Sequence, residues 1–310
     1  MEDENQVKAR ALVERLLSVP EQAAEFIDDN VSSALPPGST IVEFGPHGTA
    51  YWTKTLEIKA IQASGAPLKY FLKVNHTDAG GQVLEGESAS LEAIHRLLPD
   101  FVPRPIAQGS YASDPDVHFL LMEFLDLRGD VPDVDSLPAK LAEMHLKGSS
   151  PNGKFGFHLH TGPAFLQGEY GQSITWSSSW EALFTSMYIP VFHWEQSMHG
   201  KDDEMQTLFK SMIEKVIPRL LRPLETGKNK IRPCLLHGDL WDGNTGTDAS
   251  TETPLIFDPA SFYGHNEYDL APWNLPRHKI YRPYIREYQR HFERADPKED
   301  YEDRLLLYRQ

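Results

Sequence analysis

The stretch from Cys234 to His265, CLLHGDLWDGNTGTDASTETPLIFDPASFYGH, decides how this chain is read. It holds two polar clusters, His237-Gly238-Asp239 with Asn244, and Asp258-Pro259-Ala260. Each follows an apolar run, Cys234-Leu235-Leu236 and Leu255-Ile256-Phe257. An apolar run that stops abruptly at Asp or Asn reads as a buried strand delivering side chains to a cleft. The turn-rich segment from Thr245 to Thr253 reads as the loop of a hairpin between the two runs. Two carboxylates and an amide then converge at one end of two adjacent short strands. Phosphoryl transfer with a divalent metal needs such a set: Asp239 near the attacking hydroxyl, with Asn244 and Asp258 on the metal.

Taken singly, HGD or DPA is an ordinary turn, because Asp and Asn beside Gly favour turns. The spacing carries the argument. Asp239 and Asn244 stand at the D-x-x-x-x-N interval of the kinase catalytic loop, H-R-D-x-x-x-x-N, with Gly238 in place of Arg. Asp258 then follows an apolar strand, where that pattern puts its metal-binding Asp.

Upstream, Ser39 to Val74 carries three β-rich runs, TIVEF, AYWTKTLEIKAI and KYFLKV, separated by Gly45-Pro46-His47-Gly48 and Ser64-Gly65-Ala66-Pro67. Three antiparallel strands with a glycine-containing first turn make a nucleotide lid or an ordinary hairpin, since Gly45 and Gly48 do not spell G-x-G-x-x-G. Lys73 lies in the third run on the face of Phe71, opposite Leu72 and Val74. A lysine there is ordinarily a solvated edge residue. A helix-like run, GESASLEAIHRLL, follows with Glu85 and Glu87 near its start. Packed behind the strand, that helix offers Glu87, which precedes the apolar face Leu91, Ile94, Leu97 and Leu98, as the partner holding Lys73 against nucleotide phosphates. Glu85 is expected in solvent. After PDFVPRP closes the helix, His118 to Leu125 reads as a buried strand running into the polar LDLRGDVPDVD. The expected division is 1–122, a connector at 123–130, and 131–310. In the connector, Glu123, Phe124 and Leu125 present backbone groups able to meet an adenine edge.

Residues 5 to about 28 predict a helix broken near Pro20, with Leu12, Val13, Leu16 and Leu17 on one face. From Ser136 onward the periodicity is helical, in LPAKLAEMHLKG, in 180–195, in 204–224 and in most of the chain after His265. An aromatic loop rich in Gly and Ser precedes Trp180, and His145 is expected in the core. The chain reads as α+β. Its 310 residues suffice for one large or two modest domains. A formal charge of -15 speaks against nonspecific nucleic-acid binding and favours cationic acceptors. No apolar run reaches membrane-spanning length, the start MEDENQVKAR is not signal-like, and the single cysteine, Cys234, can form no internal disulfide. A soluble cytoplasmic protein without a membrane partner is expected, with no oligomeric state specified.

HGDLWDGN, DPASFYGHNEYDLA and the upstream KFGFH resemble the fructosamine (ketosamine) kinase family, in the aminoglycoside/choline-kinase-like branch of the protein-kinase-like fold. The resemblance runs from about residue 39 to the C-terminus, and Phe155-Gly156-Phe157, Gln172, Trp176 and Trp180 agree with it. It implies a bilobal α+β architecture, an antiparallel-sheet N-lobe and a mostly helical C-lobe, with ATP and Mg²⁺ as cofactors. Asp239 would accept the proton of a sugar hydroxyl, Asn244 and Asp258 would hold Mg²⁺, and Lys73 with Glu87 would bind phosphates. Glu123 to Leu125 would contact adenine, while Trp241 and His265 would shape the sugar pocket. The implied reaction is phosphorylation of a ketosamine, fructosamine or ribulosamine, on its 3-hydroxyl. The carrier would be free or protein-bound glycated lysine, and the unstable phosphorylated adduct would fall away, repairing glycation. Trp241 and Tyr263-Gly264-His265 speak against other acceptors of this fold, such as an aminoglycoside, choline or homoserine. A non-catalytic nucleotide-binding relative is disfavoured by the complete catalytic set. Two departures stand out. The turn Gly45-Pro46-His47-Gly48-Thr49 is poorer in glycine than the family's lid and carries an unexpected His47. Family members also continue beyond a LYxL segment, whereas this sequence stops at Leu307-Tyr308-Arg309-Gln310, which predicts a shortened terminal helix on the substrate side.

Overall fold

Alternating apolar residues between 40 and 123 build one five-stranded antiparallel sheet, in a computed structural model that describes residues 11, 19–48, 50, 53–162, 174–227 and 230–309. Leu12, Val13, Leu16 and Leu17 of the expected first helix, Gln172, and Thr49 of the turn lie outside the described residues. The strands are β1 (Thr40–Pro46), β2 (Lys54–Ile61), β3 (Pro67–His76), β4 (Pro105–Ser110) and β5 (Val117–Glu123), in the order β1-β2-β3-β5-β4. Alternation sorts the two faces. Leu56, Ile58, Leu72, Val74, Phe119 and Leu121 join a core closed by Val19, Ala23 and Val31, the last from the one-turn helix α1 (Asp29–Ser33). Leu120 and Met122 turn to the other face, against helix α2 (Thr77–Leu97).

Helix α2 begins at Thr77 rather than at Gly86. Its early glycines are poor helix formers, but a Cβ at Gly80 would press on the Asn75 side chain, so close packing on β3 wins over local propensity. The face Leu84, Leu91 and Ile94 joins the second, larger core, which runs on through the helical half of the chain.

That half is built of α3 (Ser136–Lys147), α4 (Trp180–His199), α5 (Asp203–Ser211), α6 (Ile217–Leu221), α7 (Arg282–His291) and α8 (Tyr301–Tyr308). The single helix expected over 204–224 is interrupted by a π-turn at Met212–Val216. Pro218 has no N–H to offer the Glu214 carbonyl, so the ladder shifts just before it. Residues 266–274 form 3₁₀ turns, Asn266–Leu270 and Pro272–Asn274, in place of the expected α-helix. Arg304 of α8 donates through Nε and Nη2 to the Glu267 carboxylate at 2.7 and 3.0 Å, both side chains fully buried. This fork pins the terminal helix to the turn that follows His265.

Among the described residues there are five further short strands: β6 (Leu127–Arg128), β7 (Cys234–Leu235), β8 (Thr245–Asp248), β9 (Pro254–Ile256) and β10 (Tyr263–Gly264). The expected hairpin is corrected here. Cys234–Leu235 pairs with Tyr263–Gly264, not with β9, and the expected loop contributes its own strand, β8, to a β6-β8-β9 sheet. Thr245 and Thr247 carry β-branched side chains suited to a strand, and the turn proper is only 249–253. Hydrogen bonds from Ser250 and Thr251 hold that turn on Asp248 and lower its carboxyl to about 2. No helix among the described residues is long and apolar enough to cross a membrane.

Candidate active site

The loop after β7 carries His237, Gly238 and Asp239 on an internal scaffold. Gly238 has φ +86°, and a Cβ there would run into the Ala260 carbonyl, so only glycine fits where the kinase pattern has arginine. Asp269, buried on the turn after His265, accepts from His237 N at 2.7 Å, Gly238 N at 2.9 Å and His145 Nε2 at 3.1 Å. The His237 ring ties the two halves of the motif together. Its Nδ1 accepts from Asp239 N at 3.2 Å and its Nε2 donates to the Phe257 carbonyl at 3.0 Å, the residue before Asp258. That pair of roles requires the neutral ring, and burial lowers the His237 pKa in the same sense.

Asn244 Nδ2 donates to the Asp239 carbonyl at 2.8 Å and to Asp239 Oδ2 at 3.0 Å. Both partners are acceptors, so the amide orientation is settled and Oδ1 is the atom left for a cation. Burial raises the Asp239 carboxyl above its usual range, against the opposing pull of His237 and Asn244. Asp258 sits at φ +57°, a left-handed conformation uncommon outside glycine. Its carboxylate is turned back toward β3.

There it meets Lys73. Lys73 is 5% exposed, and its Nζ donates to Glu87 Oε1 at 2.6 Å and to Asp258 Oδ1 at 2.7 Å. Burial lowers the ammonium pKa, but Glu87 and Asp258 together outweigh it and hold the group above its ordinary value. Burial raises the Glu87 carboxyl. Glu85 points to solvent.

A cavity of about 260 Å³ opens beside this cluster, lined by Phe71, Lys73, Met122 and Asp258 together with Glu123, Phe124 and Leu125. His47 from the turn after β1 also lines it, its ring edge-on to Phe124 with centroids 4.8 Å apart. Within the connector, Glu123 N donates to the Arg104 carbonyl at 2.9 Å, so that N–H is committed to the neighbouring strand.

On the other side of Asp239 lies a second cavity, of about 490 Å³, lined by Trp241, Asp242, His278, Arg277, Tyr308 and Arg309 among others. Trp241 is 39% exposed and lies across Gly243, with its ring 5.7 Å from that of His278. His265 does not line this cavity, and its expected role as a pocket wall is corrected. Pairing of β10 with β7 carries it into the core, fully buried, where its Nδ1 lies 2.9 Å from the Tyr308 hydroxyl. Tyr308, which also accepts from Trp180 Nε1 at 2.8 Å, faces the cavity in its place. Burial pushes His265 down to about 4. Sequence reasoning missed Asp269, Asp242, Arg277, His278, Tyr308 and Arg309. Asp242 of HGDLWDGN, Asp269 of DPASFYGHNEYDLA, and Tyr308 and Arg309 of the final residues stood inside quoted stretches without a role, and Arg277 and His278 follow no periodic signal.

The Asn244 and Asp258 side chains offer two hard oxygen ligands, as many as Mg²⁺ takes from protein when nucleotide phosphates and water complete its shell. Among the described residues no group of three or more His, Cys, Asp or Glu could hold a metal ion. The residues present therefore fit a shared, nucleotide-borne cation.

The sequence profile described as Fructosamine kinase matches residues 54–310. This chain belongs to the fructosamine kinase family. A mouse protein named ketosamine-3-kinase is 35% identical over 226 residues, covering 66% of this chain and 68% of the relative. An Arabidopsis thaliana protein named protein-ribulosamine 3-kinase, chloroplastic, is 33% identical over 203 residues, covering 65% of this chain. The match spans 57% of that relative's length. Among solved structures, a provisionally named fructosamine-3-kinase of Thermobifida fusca superposes with TM-score 0.63 at 22% identity, covering 87% of this chain and 85% of that one. Aminoglycoside phosphotransferase APH(4)-Ia superposes with TM-score 0.54 at 14% identity, covering 87% of this chain and 83% of that one. The shared fold is the bilobal, α+β, protein-kinase-like one.

Proposed function

We propose that the chain is an ATP- and Mg²⁺-dependent kinase that phosphorylates the 3-hydroxyl of a ketosamine, fructosamine or ribulosamine, free or on glycated protein lysine. One observation carries the reading. Asp239 borders the acceptor-side cavity while Asn244, bonded to it, joins it to the cleft where Lys73 bridges Glu87 and Asp258. An acceptor hydroxyl and a nucleotide phosphate entering from opposite sides meet at that junction.

In this reading Asp239 takes the hydroxyl proton. Its burial makes it a stronger base than an exposed carboxylate, and the Asn244 bond fixes its rotamer. Lys73 stays charged and meets the phosphates, held by Glu87. Its bond to Asp258, whose side chain is 45% exposed, is the one that yields when phosphate enters. Asp258 and the Asn244 amide oxygen would then hold Mg²⁺, which supplies charge neutralisation at the transferring phosphoryl group. Phe71, Met122, Phe124 and Leu125 give the base an apolar slot. Trp241 gives the C–H side of a sugar a flat apolar face.

The lobe boundary is proposed at 123–130, where the sheet ends. Cytoplasmic residence belongs to the same proposal, since ATP is supplied there and one cysteine asks for no oxidising compartment. The test is phosphate transfer from ATP to fructosyl- and ribulosyl-lysine beside an aminoglycoside and choline. Turnover of another alcohol with none of any ketosamine would sink the reading.

A further inference from the structure

Arg277 and Arg309 line the same cavity as Asp239, in a chain whose formal charge is -15. Among the described residues neither has a carboxylate partner, a state shared with Arg96, Arg104, Arg232, Arg286 and Arg294, none of which lines this cavity. The acid beside them on the cavity wall is already engaged, because His278 Nδ1 donates to Asp242 Oδ1 at 2.5 Å. Arg277 Nε lies at a long 3.4 Å from His278 Nε2, which leaves the forked end of the guanidinium without a partner among the described residues. A guanidinium fork matches a carboxylate in geometry and charge. Net charge argues for a cationic acceptor, and this wall argues for an anion at one end of it.

We infer that Arg277 and Arg309 form an anion subsite of the acceptor pocket, and that the preferred acceptor is a ketosamine bearing a free carboxylate. The inference rests on the ketosamine-kinase reading. The nitrogen of such an adduct is a secondary amine, cationic near neutral pH, and suits the Asp239 side of the cavity. In the glycation adduct of a free amino acid, a carboxylate stands one carbon from that nitrogen and suits the arginine side. A glycated lysine within a polypeptide offers no such charge, because its carboxyl is tied up in a peptide bond. The 490 Å³ cavity lies within the range of small-molecule sites.

The test compares kcat/KM, with ATP and Mg²⁺, for Nα-fructosyl-glycine and Nα-fructosyl-glycinamide. These differ in the carboxylate and, through it, in the basicity of the amine, so the ratio is read in the wild type against the arginine variants. The acid should exceed the amide by tenfold to a hundredfold, roughly the worth of a charge-assisted hydrogen bond, mainly through KM. The ratio should fall toward one in Arg277→Gln and Arg309→Gln, both exposed positions where folding is not at stake, and recover in part in Arg277→Lys. Added salt should shrink it in the wild type. Equal efficiency on acid and amide overturns the subsite and leaves the kinase reading intact. Turnover of neither overturns both. The glycinamide adduct of fructose 6-phosphate is the control for the other source of negative charge. If it outruns the glycine adduct, the arginines serve a phosphate and the carboxylate assignment is wrong.

Discussion

Asp269→Asn probes the scaffold beneath the catalytic loop. The wild-type carboxylate accepts from two backbone N–H groups, at 2.7 and 2.9 Å, and from His145 at 3.1 Å, with no solvent exposure. Asparagine keeps one acceptor oxygen and turns an NH₂ toward a donor, so at least one backbone N–H or His145 loses its partner. Each buried group left unsatisfied costs about 1–3 kcal/mol, which puts the loss at about 1–3 kcal/mol or more from a total of about 5–15. The loss should also reach catalysis. Asp239 N is bonded to His237 Nδ1, and Asn244 is bonded to Asp239, so a tilt of the loop displaces the proposed base together with the proposed metal ligand. A displacement near 1 Å costs about a hundredfold in rate. Urea unfolding followed by far-UV circular dichroism reads the first effect, and kcat at saturating ATP reads the second. A variant within 0.5 kcal/mol of wild type with unchanged kcat would refute the assignment of Asp269 as the support of the loop.

Asp239→Asn should lower kcat by about three orders of magnitude or more while nucleotide binding, read by calorimetry, persists. The same change should stabilise the fold at neutral pH. Burial raises the folded-state pKa of Asp239, so its contribution to stability is present below the ordinary carboxylate value and is lost as pH rises through the raised one. A lower melting temperature for the variant at pH 7 would contradict that sign. The same raised pKa places the acidic limb of kcat/KM above the ordinary aspartate range. His265, pushed down to about 4 from 6.5, acts in the opposite direction. Its contribution is present above pH 6.5 and falls by about 3 kcal/mol as pH drops to 4. His265→Phe should therefore flatten the acid side of the stability profile, and a parallel profile would refute this. Arg304→Met leaves the buried Glu267 carboxylate without its fork and should cost about 3–5 kcal/mol, measured by chemical denaturation.

How much of this was legible beforehand depended on the range of the signal. Alternation along β3 put Phe71 and Lys73 on one face, and both line the cavity beside Asp258. Helical spacing singled out Glu87 over Glu85, and the Lys73–Glu87 bond has that register. Asp239, Asn244 and Asp258 stand together because the His237 ring bonds to Phe257, the residue before Asp258, and Asn244 bonds to Asp239 within the loop. Pairing between distant short strands was not legible. Two-residue strands such as Cys234–Leu235 and Tyr263–Gly264 carry no periodicity, so the burial of His265 and the pairing of β7 could not be read. Asp269 was hidden for a related reason, because its partners lie over thirty residues upstream in the chain. Arg277 and His278 follow a Pro-containing turn with no repeating pattern, and only the three-dimensional arrangement sets them opposite Asp239.

The central claim is phosphoryl transfer from ATP to the 3-hydroxyl of a ketosamine with Asp239 as base. The most direct measurement is phosphorus NMR of the product formed from ATP, Mg²⁺ and Nα-fructosyl-glycine. A new phosphomonoester resonance coupled to the proton on C3, absent with Asp239→Asn, is the predicted result. Phosphate on another hydroxyl, or the same product at the same rate from the variant, would contradict the account.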